Sequence, residues 1–137
     1  WWNIPLCATP TLFNRWKHLE KTYMPPDPRK YLFDMLDSCR FVQAFIEKRT
    51  HEDLCQDRGF RSAVERELQI IGEACYVLER VNPDICRRIS EYQRIIRLRH
   101  VLVHGYDVVS TEIIWEILHN KLPLLNEELE ALIAACK

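Results

Sequence analysis

Apolar residues recur at helical spacing through most of the chain, and the pattern predicts the elements in order. Leu32, Met35, Leu36, Cys39, Val42 and Ile46 lie on one face of a first helix, which starts at Asp27 with Pro28 as its first residue. Thr50 caps a short connecting helix reaching Cys55. The next long helix runs from about Phe60 to Val81. Val64, Leu68, Ile71, Cys75 and Leu78 form its heptad seam, and Asn82-Pro83 ends it. Gly72 inside that helix costs about 1 kcal/mol relative to alanine, which points to the close approach of a neighbour. A fourth helix is expected from about Asp84 to His104. From Ile95 onward its apolar residues Ile95, Ile96, Leu98, Val101, Leu102 and Val103 point in nearly every direction. A helix apolar all round is covered on all sides, so core on one face and a second copy of the chain on the other are expected. Ser110 caps a last helix with Ile113, Ile114, Trp115, Ile117 and Leu118. Trp115 reads as core, Pro123 breaks or kinks the helix, and Leu124 to Ala135 completes the bundle.

Composition agrees with an all-α protein. There are three glycines in 137 residues, and no Asn-Gly or Asp-Gly hairpin signal. No apolar run approaches the roughly 20 residues that span a bilayer. Five of the seven prolines fall in the first 28 residues, which places an N-terminal extension over 1–26 and a helical domain over 27–137. The chain opens with Trp1-Trp2, and Met24 reads as the natural start. Within the extension, Thr11 would cap an amphipathic helix carrying Leu12, Phe13, Trp16 and Leu19, packed on the bundle or on a neighbouring subunit. Six cysteines form no CxxC pair, and nothing resembles a signal peptide, so free thiols and a cytoplasmic location are expected.

A net charge of −1 gives no overall nucleic-acid footprint. Locally, Arg87, Arg88, Arg94, Arg97 and Arg99 face a single acid, Glu91, between Ile85 and His104. That run reads either as a solvated face or as a phosphate-attracting patch, with Arg94 and Arg97 as candidate contacts to an RNA backbone. The segment Arg99-His100-Val101-Leu102-Val103-His104-Gly105-Tyr106 holds the densest chemistry. On the stripe Tyr92, Ile95, Arg99, Leu102, Tyr106, the arginine takes a position that packing would give to leucine. A guanidinium there must be paired or line a site. Glu73 is the natural acid to pair with it, and a surface or capping glutamate is the other reading. Gly105 is expected to stop the helix in a left-handed cap, leaving His104 at the negative end of the helix dipole. Tyr106 on packing grounds completes the apolar stripe. His100 and His104 form an i, i+4 pair, minimal metal-ligand spacing, but no third ligand has suitable spacing; neither metal nor cofactor is expected.

Arg, four residues, His, one residue, Tyr resembles the signature of the HEPN ribonuclease-like domains, in particular the HepT toxin branch. Residues 63–74, with Ile70-Ile71-Gly72-Glu73-Ala74 at their end, resemble the family's second hallmark helix. Residues 27–36 resemble its first helix, so the similarity covers about 27 to 133. The resemblance implies a four- or five-helix up-and-down bundle, an RNA substrate, and catalytic roles for Arg99 and His104. It also implies a cognate minimal nucleotidyltransferase as antitoxin, which would silence the toxin by adenylylating Tyr106. One departure stands out: His100 occupies a position that is usually asparagine in the family. Arg99 and His104 lie five residues apart, about 140° around one helix, so they converge only if the helix unwinds at Gly105 or a two-fold axis brings two copies together. The expectation is therefore a homodimeric, metal-independent endoribonuclease of a toxin–antitoxin pair, without membrane association. Its rivals are a non-catalytic module that binds a nucleotide or the transferase, and a purely structural helical dimer.

Overall fold

The computed structural model describes residues 26–105 and 109–136, and every regular element among them is helical. Helix α1, Pro28–Ile46, opens as the sequence predicts: Asp27 accepts from the Arg29 backbone N–H at 2.9 Å, and Pro28 occupies the first turn. All six apolar residues assigned to its inner face are buried. Helix α2, His51–Gln56, is capped reciprocally, with the Asp53 N–H donating to the Thr50 hydroxyl and the Thr50 N–H donating to the Asp53 carboxylate. Helix α3, Arg58–Val81, begins slightly before the predicted Phe60, because Asp57 caps it by accepting from the Phe60 N–H at 3.0 Å. Its seam from Val64 to Leu78 is buried throughout. The Thr11-capped helix and the domain boundary expected at the N-terminus lie outside the described residues.

The predicted fourth helix is interrupted. A single turn, α4, Pro83–Cys86, is capped by the Asn82 side chain; residues 87–91 then turn the chain, and α5 spans Tyr92–His104. The interruption has a packing cause. Cys86 and Ile89 are both drawn into the core, and the Ser90 N–H donates to Glu128 at 3.0 Å. Glu91 completes the turn at φ 56°, in the left-handed region, and pairs with Arg94 and Lys121. Arg87 and Arg88 therefore leave the helix that carries Arg94, Arg97 and Arg99, and the basic run is split.

Two further expectations change in detail. Gly105 ends α5, but at φ −117°, not in a left-handed cap; the Gly105 N–H closes the last turn on the Val101 carbonyl at 2.7 Å. Pro123 does not break the last helix. Helix α6, Thr111–Glu116, runs through a π-helical turn, Ile117–Lys121, into α7, Leu122–Ala135, and the Leu122 N–H reaches back five residues to the Ile117 carbonyl. The widened turn accommodates a proline ring that would strike the carbonyl four residues earlier in a regular helix.

Helix α1 packs between α3 and α7, while α3 also carries α5 and the α2–α6 pair closes one end. The five described cysteines, Cys39, Cys55, Cys75, Cys86 and Cys136, are free. Burial pushes the Cys39 thiol up to about 12, so it behaves as a small apolar group. No helix among the described residues is long and apolar enough to cross a membrane.

At Gly72 the α3–α5 contact leaves no room for a side chain. A Cβ on Gly72 would collide with the Arg99 Cβ and sit 3.1 Å from the Ile95 carbonyl oxygen. Gly72→Ala should therefore destabilise the fold by about 1–2 kcal/mol despite its better helix propensity, read as a lower Tm in thermal unfolding. A second expectation concerns acid. The Lys121 ammonium, and after it the Arg94 charge, hold the Glu91 carboxyl below the usual carboxylate range. A depressed folded pKa contributes stability that is present above the unfolded value, about 4.3, and is lost as the pH falls through the folded one. Urea unfolding should accordingly separate the parent from Glu91→Gln at pH 7, with the difference shrinking progressively as the pH falls below about 4.

Candidate active site

Arg99 and Glu73 are the residues the structure brings together most clearly. The guanidinium reaches the Glu73 carboxylate at 2.7 Å, with the two side chains 29% and 50% exposed. Its other contact is the Tyr76 ring, whose centroid lies 5.8 Å from the guanidinium carbon and which also carries Arg80 at 5.3 Å. The local sequence explains the arrangement. Gly72 admits the stem of Arg99 against α3, Glu73 follows it immediately, and Tyr76 stands one helical turn further on the same side. Arg99 is thus half-buried and paired, which answers the objection to a guanidinium on an otherwise apolar stripe.

The cleft beside this pair has a volume of about 540 Å³ and lies between α1, α3 and α5. Asp34 and Asp37 line it from α1, Arg66, Glu67 and Glu73 from α3, and Arg99 and Val103 from α5. Four carboxylates against two guanidiniums make it an acidic cleft, and a phosphate reaching Arg99 from this side must displace Glu73. Tyr76, Asp34 and Asp37 were not singled out by sequence. Their signal was weak, since a tyrosine and two aspartates at helical spacing ordinarily read as a partly buried ring and a solvated face.

The histidines lie elsewhere on α5. His100 and His104 are both exposed, and their rings pack with centroids 4.7 Å apart. Helical geometry turns His104 about 140° from Arg99, and no contact joins the two among the described residues. Arg94 is exposed and paired with Glu91 at 2.8 Å, and Arg97 is exposed. Tyr106 lies outside the described residues. No group of three or more His, Cys, Asp or Glu among those described is placed to hold a metal ion.

One chain therefore offers an anchored cation on one side of α5 and a pair of imidazoles on another. Helix α5 itself has no fully buried residue, although Ile95, Ile96, Leu98, Val101, Leu102 and Val103 are apolar and only partly covered. The Arg99–Glu73 pair is open enough to water that Glu73→Ala should cost no more than about 1 kcal/mol. Urea unfolding checks this, and a much larger loss would mean that the pair organises the α3–α5 contact.

Comparison with known proteins covers both hallmark helices. The family model Ribonuclease HepT-like matches residues 35–132. A protein of Methanocaldococcus jannaschii named Putative RNase is 31% identical over 109 residues, covering 78% of this chain and 88% of that protein. A protein of Thermococcus cleftensis named Probable ribonuclease HepT is 28% identical over 108 residues, 76% of this chain and 94% of its own length. A Putative RNase of Caldanaerobacter subterraneus is 29% identical over 106 residues, with 77% and 94% covered. No solved structure gives a significant match.

Proposed function

The chain belongs to the HepT-like ribonuclease family, and from that premise we propose that it is a metal-independent endoribonuclease whose site is built around Arg99 and His104. The observation that carries the reading is the anchored guanidinium: Arg99 is fixed by Gly72, Glu73 and Tyr76 where α5 lies on α3, with His104 exposed at the end of the same helix. In the reaction, a histidine removes the proton from a ribose 2′-hydroxyl, whose oxygen attacks the adjacent phosphorus. A second histidine protonates the departing 5′-oxygen, and Arg99 stabilises the charge that builds on the phosphate oxygens. The products are a 2′,3′-cyclic phosphate and a 5′-hydroxyl. Imidazole is the side chain that can serve as either acid or base near neutrality.

Two histidines and an arginine on different sides of one helix need a second copy to complete such a site. The partly covered apolar residues of α5 support a homodimer packed around that helix, which would place arginines and histidines of both chains along one cleft. His100 would then donate to a phosphate oxygen or orient His104. A nucleotidyltransferase antitoxin would silence the enzyme by transferring the adenylyl group of ATP to the Tyr106 hydroxyl, with pyrophosphate leaving and the phenolic proton released, which would put negative phosphate where Arg99 expects the scissile one.

The separation of His104 from Arg99 within one chain favours one alternative, a non-catalytic module of the same fold that binds a nucleotide or the transferase, with Arg99 gripping phosphate and His104 idle. Incubating an RNA pool with the protein in excess EDTA separates the readings. Cleavage leaving cyclic phosphate ends should fall by roughly 100-fold or more in both Arg99→Ala and His104→Ala. Retained nucleotide binding with no cleavage by the folded parent dimer would leave the binding module. Changes confined to stability would leave a structural dimer.

A further inference from the structure

Where α2 meets α6, three aromatic rings form a cluster that the cleavage scheme does not use. Trp115, expected in the core, packs against it but is only partly buried, and it lines an open surface depression of about 350 Å³ together with His51, Glu112, Glu116, His119 and Asn120. His119 lies against the indole with ring centroids 4.2 Å apart and planes inclined by 40°, and His51 approaches edge-on at 5.9 Å. The π-helical turn places His119 there. Its Nδ1 lies 3.0 Å from the Trp115 carbonyl oxygen, which only accepts, so Nδ1 donates there and the ring is held against the indole.

The two carboxylates differ. Hydrogen bonds from its own backbone N–H and from the Ser110 and Thr111 hydroxyls hold the Glu112 carboxyl below the usual carboxylate range, so that group is committed to the start of α6. Glu116 makes no ion pair among the described residues. No lysine or arginine lines the depression, so its chemistry does not suit a phosphate. A partly exposed indole with a carboxylate in the same lining suits a flat ring bearing adjacent donors.

We propose that this depression is a nucleobase subsite, in which an unpaired base stacks on Trp115 and Glu116 selects guanine. The selection follows from hydrogen-bond inventory. Guanine presents two neighbouring donors, N1–H and the N2 amino group, to a single carboxylate. Adenine and cytosine place an acceptor beside their amino group, and uracil flanks its one donor with two carbonyls. Stacking of splayed bases on aromatic rings is the usual means of reading single-stranded RNA. Thr111 follows His104 by seven residues, which limits their separation to about 25 Å, within reach of a short single-stranded segment. The inference rests on the ribonuclease reading and gives it a preference: cleavage near a guanine.

Equilibrium dialysis with the free nucleosides tests the subsite without requiring cleavage or engaging Arg99 through a phosphate. Guanosine should bind at least about tenfold more tightly than adenosine, cytidine or uridine, and Glu116→Gln should erase that preference. Trp115→Ala should weaken guanosine binding by roughly tenfold, the scale of one stacked base, while His104→Ala leaves it unchanged. Should Trp115→Ala fail to fold, the exposed Glu116→Gln variant still decides the matter. Equal binding of all four nucleosides, no guanosine binding at millimolar concentration, or binding of N-acetylarginine amide in place of guanosine overturns the proposal. The third of these would mark the depression as a cation pocket for a protein partner. Guanosine binding without RNA cleavage would sink the ribonuclease reading and leave the subsite standing; RNA cleavage without guanosine binding would do the reverse.

Discussion

The absence of a side chain at Gly72 sets the geometry on which the candidate site depends. Arg99 Cβ and Cγ and the Ile95 carbonyl fill the volume that any other residue would need, so α5 lies close against α3. The same turn of α3 then supplies a carboxylate at Glu73 and a ring at Tyr76, and the guanidinium is satisfied without being sunk in the core. A half-buried, paired cation avoids most of the desolvation cost of a buried one and keeps a defined direction. Room, counter-charge and stacking surface thus come from five consecutive residues of one helix.

That anchoring also shapes the electrostatics. Glu73 neutralises Arg99 in the isolated chain, and Asp34, Asp37 and Glu67 make the surrounding cleft acidic. The imidazoles of His100 and His104 stand apart, packed on one another at the end of α5. Separating cation from acid–base groups on one helix is costly for a single-chain active site and natural for a shared one, because a two-fold axis can restore on the partner what helical periodicity takes away. The turn at residues 87–91 contributes as well. By pulling Cys86 and Ile89 inward it removes Arg87 and Arg88 from α5, so positive charge on that helix is limited to Arg94, Arg97 and Arg99.

Much of this was legible in advance. The inner faces of α1 and α3 and the caps at Asp27, Thr50 and Ser110 follow from residue type and helical spacing, which are local properties. A glycine inside a helix signalled the close approach at Gly72, and Glu73 stood as one of two readings until the packing of α5 on α3 paired it with Arg99. The break before Tyr92 was not legible, because Arg87 to Glu91 contain neither proline nor glycine. The turn exists because Cys86, Ile89 and Ser90 find partners on other helices. Trp115 was legible only in part: apolar spacing marks the face that packs on the core, but how far neighbours cover it is decided by where α2 and the π-helical turn fall.

The sequence by itself determined that the described chain is helical, which faces of α1 and α3 turn inward, and where most helices begin, because periodicity and capping act over one or two turns. It also determined the family, through residues close together in the chain. Only the tertiary structure decided that Arg99 meets Tyr76 and opens on an acidic cleft, that His104 stands apart from it, and that Trp115 lines a surface depression between two histidines. Those outcomes depend on the angle and depth at which one helix lies on another, and side chains distant in sequence set both.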